Sequence, residues 1–168
     1  AHRFPNAIRK FVAEDVGIIN FLKDSPPFDM FRAVAYQLFC AMGFLITRLT
    51  GSFCFSLLVS LYPWQWLGPE VGDISPYIAR GSPHFTYPYV HAFLDSTTFK
   101  MKFTPEVPQL FIYGRQKKFM FHSQRYLKLL EKTPGCSWIC YDDSGHWIHE
   151  TNAAGMAKDV KEFLSSNK

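Results

Sequence analysis

Charged residues are scarce in this sequence, and they form no stripe of one sign. Only 19% of the 168 residues are charged while 48% are hydrophobic, which excludes a disordered chain. The net charge is +4. The basic residues cluster at Arg115, Lys117 and Lys118, and this cluster belongs to no nucleic-acid-binding motif. We therefore expect no nucleic-acid partner, and we interpret the cluster as ordinary solvated surface.

Metal-binding patterns are missing as well. The four cysteines, Cys40, Cys54, Cys136 and Cys140, include no Cys-x-x-Cys pair, and the Cys136/Cys140 spacing has no matching second half. We expect neither a metal site nor a cofactor. Buried free thiols in a reducing compartment, such as the cytoplasm, are the simplest interpretation.

No apolar run is long enough to span a bilayer. Residues 33–47 are the main candidate, but a spanning helix needs about 20 residues. A buried helix is favoured, with a hairpin with 52–67 or peripheral membrane contact as alternatives. No signal peptide is visible, and the chain begins at Ala1 rather than Met, which suggests a processed product, an expressed portion or a piece of a longer protein.

What the sequence has in abundance is aromatic residues, at 17%, and a regular alternation of elements. A strand is predicted at Phe11–Ala13. The apolar run at 107–114 predicts a buried strand, and the run at 136–143 predicts another short strand. Amphipathic patterns at 122–135 and 150–168 predict helices. Strand, helix, strand, helix is the layer pattern of an α/β protein with a parallel sheet.

The middle of the chain, residues 24–105, does not fit this alternation. It contains a predicted helix at 30–49, apolar nearly all round and capped by Asp29, followed by a stretch rich in proline and glycine. It is predicted to be an insertion between residues 1–23 and 106–168, which would form the sheet-containing core.

Several motifs carry a family resemblance. The stretches "PQLFIYG", "YDDSGHWIHE" and "DVKEFL" resemble the last two β-α units of an α/β-hydrolase-fold enzyme. The stretch "FPNAIRKFVAEDVG" is similar to the segment after the nucleophile helix in the epoxide-hydrolase-like and haloalkane-dehalogenase-like branch. The resemblance implies a partial α/β-hydrolase fold in which residues 24–105 form the helical cap.

The resemblance makes His146 the candidate general base. It follows the last predicted strand, and the small Ser144-Gly145 pair allows a tight turn that points the ring over the sheet edge. In many members of the resembled family the acid follows the strand that corresponds to "LFIYG", but the loop there has no carboxylate in this sequence. In other members the acid follows the strand that corresponds to "KFVAED", so the resemblance implies that Asp15 or, less favoured, Glu14 orients His146. A strand-end Asp15 that bonds nearby backbone amides is an equal alternative.

The resemblance also exposes a gap, because no Gly-x-Ser-x-Gly or Gly-x-Asp-x-Gly elbow occurs in the sequence. By the order of the family, the nucleophile would lie upstream of Ala1. The first hypothesis is the C-terminal portion of a hydrolase of esters, epoxides or carbon–halogen bonds, inactive as an isolated chain. The alternative is a non-catalytic module that binds an apolar ligand or a partner chain completing the sheet.

Aromatic residues of the cap and of the loop that carries His146 are candidates for the pocket. In the resembled branch, such side chains surround a small apolar substrate, and the alternative is packing beneath a lid. The candidates are Trp64, Trp66, Tyr87 and Trp147.

Overall fold

The computed structural model describes residues 7–15, 26–50, 105–118 and 120–166. Within these residues, three strands form one parallel sheet, and helices pack on both of its faces. The predicted α/β class is therefore confirmed. The strands are β1 (Phe11–Glu14), β2 (Gln109–Gly114) and β3 (Ser137–Tyr141), and the helices are α1 (Pro27–Thr50), α2 (Gln124–Lys132), α3 (Ile148–Thr151) and α4 (Ala153–Ser165).

The sheet order is β1-β2-β3, so β2 is the central strand. All of its residues are buried, as expected for a parallel strand covered on both faces. The register places Phe111 beside Ala13 on one side and beside Trp138 on the other. Because all three strands run in the same direction, their carboxyl ends lie at one edge.

Alternate residues of β2 belong to two separate cores. Phe111 and Tyr113 pack with buried side chains of α2, including Tyr126 and Leu130. Leu110 and Ile112 face the other way and pack with Ile148 of α3 and with apolar residues of α4. The two-residue period of the strand thus places one helical layer on each face of the sheet.

Two predicted helix boundaries are wrong. Helix α1 begins at Pro27, a residue suited to a first turn, so Asp29 lies inside the helix and is not its cap. The predicted helix at 150–168 is replaced by two helices, α3 and α4, because the helical backbone is interrupted at Asn152. The Asn152 side chain then caps α4 by accepting a hydrogen bond from Gly155 N at 3.1 Å.

Helix α1 is not buried on all sides, contrary to the prediction from its composition. Its Arg32 donates a hydrogen bond to the Lys118 carbonyl at 2.8 Å, which links the helix to the loop after β2. Among the described residues, no helix is both long enough and apolar enough to cross a membrane. A stripe of exposed apolar side chains follows one face of α1: Phe28, Phe31, Leu38, Met42, Leu45 and Leu49.

Candidate functional site

Polar side chains converge where the three strands end. Asp15 follows β1 directly, Lys117 lies in the loop after β2, and His146 lies in the loop after β3. Ligand and catalytic sites of open parallel sheets are found at this carboxyl edge. We call residues 142–147 the histidine loop.

The histidine loop is held against the end of β2 by backbone contacts. Gln116 N donates to the Ser144 carbonyl at 2.8 Å, and Arg115 N donates to the Tyr141 carbonyl at 3.0 Å. A Cβ atom at Gly114 would lie 2.0 Å from the Gly145 carbonyl oxygen, so only glycine permits this approach. The glycine that ends the "LFIYG" strand is thus part of what positions His146.

The structure brings Asp15 and His146 together across the central strand. The Asp15 Oδ2 atom lies 2.8 Å from His146 Nδ1, although 131 residues separate them in sequence. Asp15 is 1% exposed, and its backbone amide donates to the Ile112 carbonyl at 2.7 Å. Its φ angle of 39° lies in the left-handed region, which aspartate tolerates better than most residues.

This contact defines the tautomer of His146. A carboxylate only accepts hydrogen bonds, so Nδ1 carries the proton and the lone pair of the neutral ring is on Nε2. The His146 side chain is 20% exposed, and its ring lies 4.8 Å from the Phe121 ring and 5.2 Å from the Trp147 ring. The geometry suits a base that takes a proton through Nε2 from a group outside the sheet edge.

Glu14, the less favoured partner for His146, contacts a different histidine. Its Oε1 atom accepts hydrogen bonds from His149 Nδ1 at 2.8 Å and from His149 N at 3.1 Å. The His149 side chain is 49% exposed, whereas Asp15 is buried. Glu14, the last residue of β1, and Asp15, the residue after it, therefore form two histidine–carboxylate pairs. The pair with His149 is more exposed, and the pair with His146 contains the buried Asp15.

Lys117 also belongs to the site, although its sequence context predicted solvated surface. Its ammonium group pairs with Asp15 Oδ1, and the side chains of both residues are completely buried. The interpretation of the Arg115–Lys118 cluster as solvated surface is therefore wrong for Lys117. The available signal was its position, because it lies in the loop directly after a buried strand, at the same edge as His146.

His122, which lies just before α2, is a second residue near this edge that the sequence did not predict. It is 4% exposed, and its ring packs against Tyr113 at 4.2 Å and against Phe111 at 5.0 Å. Burial, reinforced by the positive charge of Lys117 and opposed by Asp15, lowers the pKa of His122 to about 4. It is therefore neutral near pH 7, and no local sequence pattern marks it.

The other predicted site residues divide into two groups. Trp147 is partly buried, and its ring lies beside that of His146. Trp64, Trp66 and Tyr87 lie outside the described residues. Within the described part of the chain, no group of His, Cys, Asp and Glu side chains is arranged to hold a metal ion, and Cys136 and Cys140 are free thiols.

Comparisons with protein-family models, with characterised proteins and with solved structures found no match to this chain. Functional inference therefore depends on the chemistry of the sheet edge and on the motifs of the sequence.

Proposed function

We propose that this chain is the C-terminal portion of an α/β-hydrolase-fold enzyme that hydrolyses an ester, an epoxide or a carbon–halogen bond. The observation that carries the proposal is the contact between the buried Asp15 carboxylate and His146 Nδ1 at the carboxyl edge of a parallel sheet. In this proposal residues 24–105 form the cap, and the nucleophile belongs to a segment upstream of Ala1.

His146 acts as the general base in this proposal. Its Nε2 atom takes a proton from a hydroxyl nucleophile or from the water that hydrolyses the covalent intermediate. Asp15 holds the ring orientation through Nδ1 and stabilises the imidazolium that forms. Without the nucleophile the covalent route is lost, so the 168 residues alone are expected to be inactive.

The test requires the protein that joins this chain to its upstream residues. The upstream reading frame is expected to encode Gly-x-Ser-x-Gly or His-Asp-x-Gly, and a start codon at Ala1 would refute the proposal. The longer protein is then assayed with a p-nitrophenyl ester, an aryl epoxide and a haloalkane. We expect turnover of one class, and we expect Asp15→Asn to lower kcat by about 10³–10⁴-fold.

The Glu14–His149 pair provides a matched control, because it repeats the same chemistry at an exposed position. His149→Ala is expected to leave kcat within a few-fold of the wild type, while His146→Ala abolishes turnover. Activity that survives His146→Ala, or no turnover of any of the three substrate classes, would contradict the proposal. A non-catalytic ligand-binding module would then be the remaining interpretation.

A further inference from the structure

The Asp15 carboxylate has two partners, one on each oxygen. Oδ2 lies 2.8 Å from His146 Nδ1, and Oδ1 pairs with the ammonium group of Lys117. The three residues come from three different connections at the sheet edge: the end of β1, the loop after β2 and the loop after β3. Asp15 thus links Lys117 to the candidate base, with one carboxylate oxygen on each partner.

The surroundings of Lys117 make this pairing specific. Its side chain is completely buried, and its Nζ atom lies 5.5 Å from the centre of the Phe121 ring and 5.9 Å from that of Tyr113. A buried ammonium among aromatic rings needs a counter-charge, and so does a buried carboxylate. His146 in its neutral form supplies none, so Lys117 is the cation that balances Asp15.

Two hydrogen bonds also restrict the rotation of the carboxylate. With Oδ1 held by Lys117, the plane of the group is set and Oδ2 is directed at Nδ1. Phe121, which contacts the ammonium, also contacts the ring of His146, with 4.8 Å between the ring centres. One aromatic side chain therefore lies against both the cation and the base.

We infer that Lys117 is a positioning residue that aligns the Asp15 carboxylate for its hydrogen bond to His146. The catalytic part of this inference rests on the proposed function, whereas the alignment itself does not. A lysine that only stabilises the fold would leave the His146–Asp15 hydrogen bond unchanged when it is replaced. The two roles therefore differ in whether replacing Lys117 weakens the hydrogen bond at His146 Nδ1.

The experiment is proton NMR at low temperature on the full chain, observing the imidazole N–H of His146. The wild type is expected to show a low-field resonance that is absent in His146→Ala. Lys117→Met is expected to lose or broaden it. Lys118→Met is the matched control, because Lys118 is an exposed lysine of the same loop, and it should keep the resonance. A resonance unchanged in Lys117→Met would overturn the inference.

The variant Lys117→Met leaves Asp15 buried without its counter-charge and could fail to fold for that reason. The double variant Lys117→Met/Asp15→Asn then decides, because it removes both charges. We expect the double variant to fold and to be at least as stable as Asp15→Asn alone. If the double variant also fails to fold while Asp15→Asn folds, Lys117 contributes packing rather than alignment, and the inference is wrong.

Enzyme kinetics separate this inference from the proposed function. In the longer protein, Lys117→Met is expected to lower kcat by about 10²-fold with KM unchanged, since misplacing a catalytic group slows chemistry rather than binding. If Lys117→Met loses the His146 resonance but the longer protein turns over no substrate, the proposed function alone is refuted. Turnover that depends on His146 but is unaffected by Lys117→Met would refute the inference alone.

Discussion

Replacing His122 with phenylalanine removes a buried titratable group while keeping a ring of similar size. His122 packs against Phe111 and Tyr113 and is 4% exposed. The surroundings are aromatic, so a phenylalanine ring can occupy the site. The substitution should therefore change how stability depends on pH more than it changes the fold.

The magnitude follows from the pKa of His122, which burial lowers from its ordinary value of 6.5 to about 4. As the pH falls below 6.5, the unfolded chain binds a proton that the folded protein does not bind until about pH 4. Protonation therefore favours unfolding in this window. The difference of about 2.5 units corresponds to about 3 kcal/mol, present in full above pH 6.5 and lost progressively toward pH 4.

The assay is urea unfolding of the full chain at a series of pH values from 7 to 4. The free energy of unfolding of the wild type is expected to fall by about 3 kcal/mol more than that of His122→Phe over this range. His122→Gln is the matched control, because it also cannot titrate but keeps a polar side chain. In both variants the free energy of unfolding should depend less on pH than in the wild type, and by the same amount.

Parallel stability curves for the wild type and both variants would refute the reasoning, because they would mean that His122 titrates alike in the folded and unfolded states. A flattened curve for His122→Phe but not for His122→Gln would also refute it, since the effect would then come from packing. A direct NMR titration of His122 provides an independent check, and the ring should remain neutral down to about pH 4.

Two further substitutions test how the site and its support are held. Gly114→Ala places a Cβ atom 2.0 Å from the Gly145 carbonyl oxygen, so the histidine loop must shift. We expect thermal unfolding to show a loss of stability of about 1–3 kcal/mol, and we expect the low-field His146 resonance to disappear. An unchanged resonance would contradict this. Ser123→Ala removes the helix-capping side chain that accepts a hydrogen bond from Tyr126 N at 3.2 Å. We expect the free energy of unfolding in urea to fall by about 1 kcal/mol, whereas Ser123→Thr keeps the cap. Equal losses in the two variants would contradict this role of Ser123.

The elements of the core could be predicted from the sequence because their signals are local. The apolar run "LFIYG" is long enough for a buried strand and is closed by a glycine, and the structure confirms β2 at Gln109–Gly114. The amphipathic pattern after it indicates a helix that packs one face on the sheet, and α2 does so through Tyr126, Leu127 and Leu130. Errors occurred at the ends, where Pro27 and Asn152 decide helix boundaries through their backbone and side-chain geometry.

The candidate site was predictable only in part. His146 could be assigned to a loop after a strand, because its neighbours Ser144 and Gly145 indicate a tight turn. Asp15 was favoured over Glu14 as its partner, but the sequence left open whether Asp15 instead bonds nearby backbone amides. The backbone conformation at the end of the strand decides where the carboxylate points. The left-handed conformation of Asp15 is part of that geometry, and it has no sequence signal of its own.

The order of strands and helices, the α/β class and the position of His146 after the third strand of the sheet all follow from local sequence, because hydrophobic periodicity and turn residues act over short distances. The contacts of Asp15 with His146 and with the buried Lys117, 102 residues away, depend on how the strands assemble. A lysine is exposed or buried according to whether a counter-charge lies beside it. That neighbour is supplied by the parallel sheet, which brings the ends of three strands to one edge.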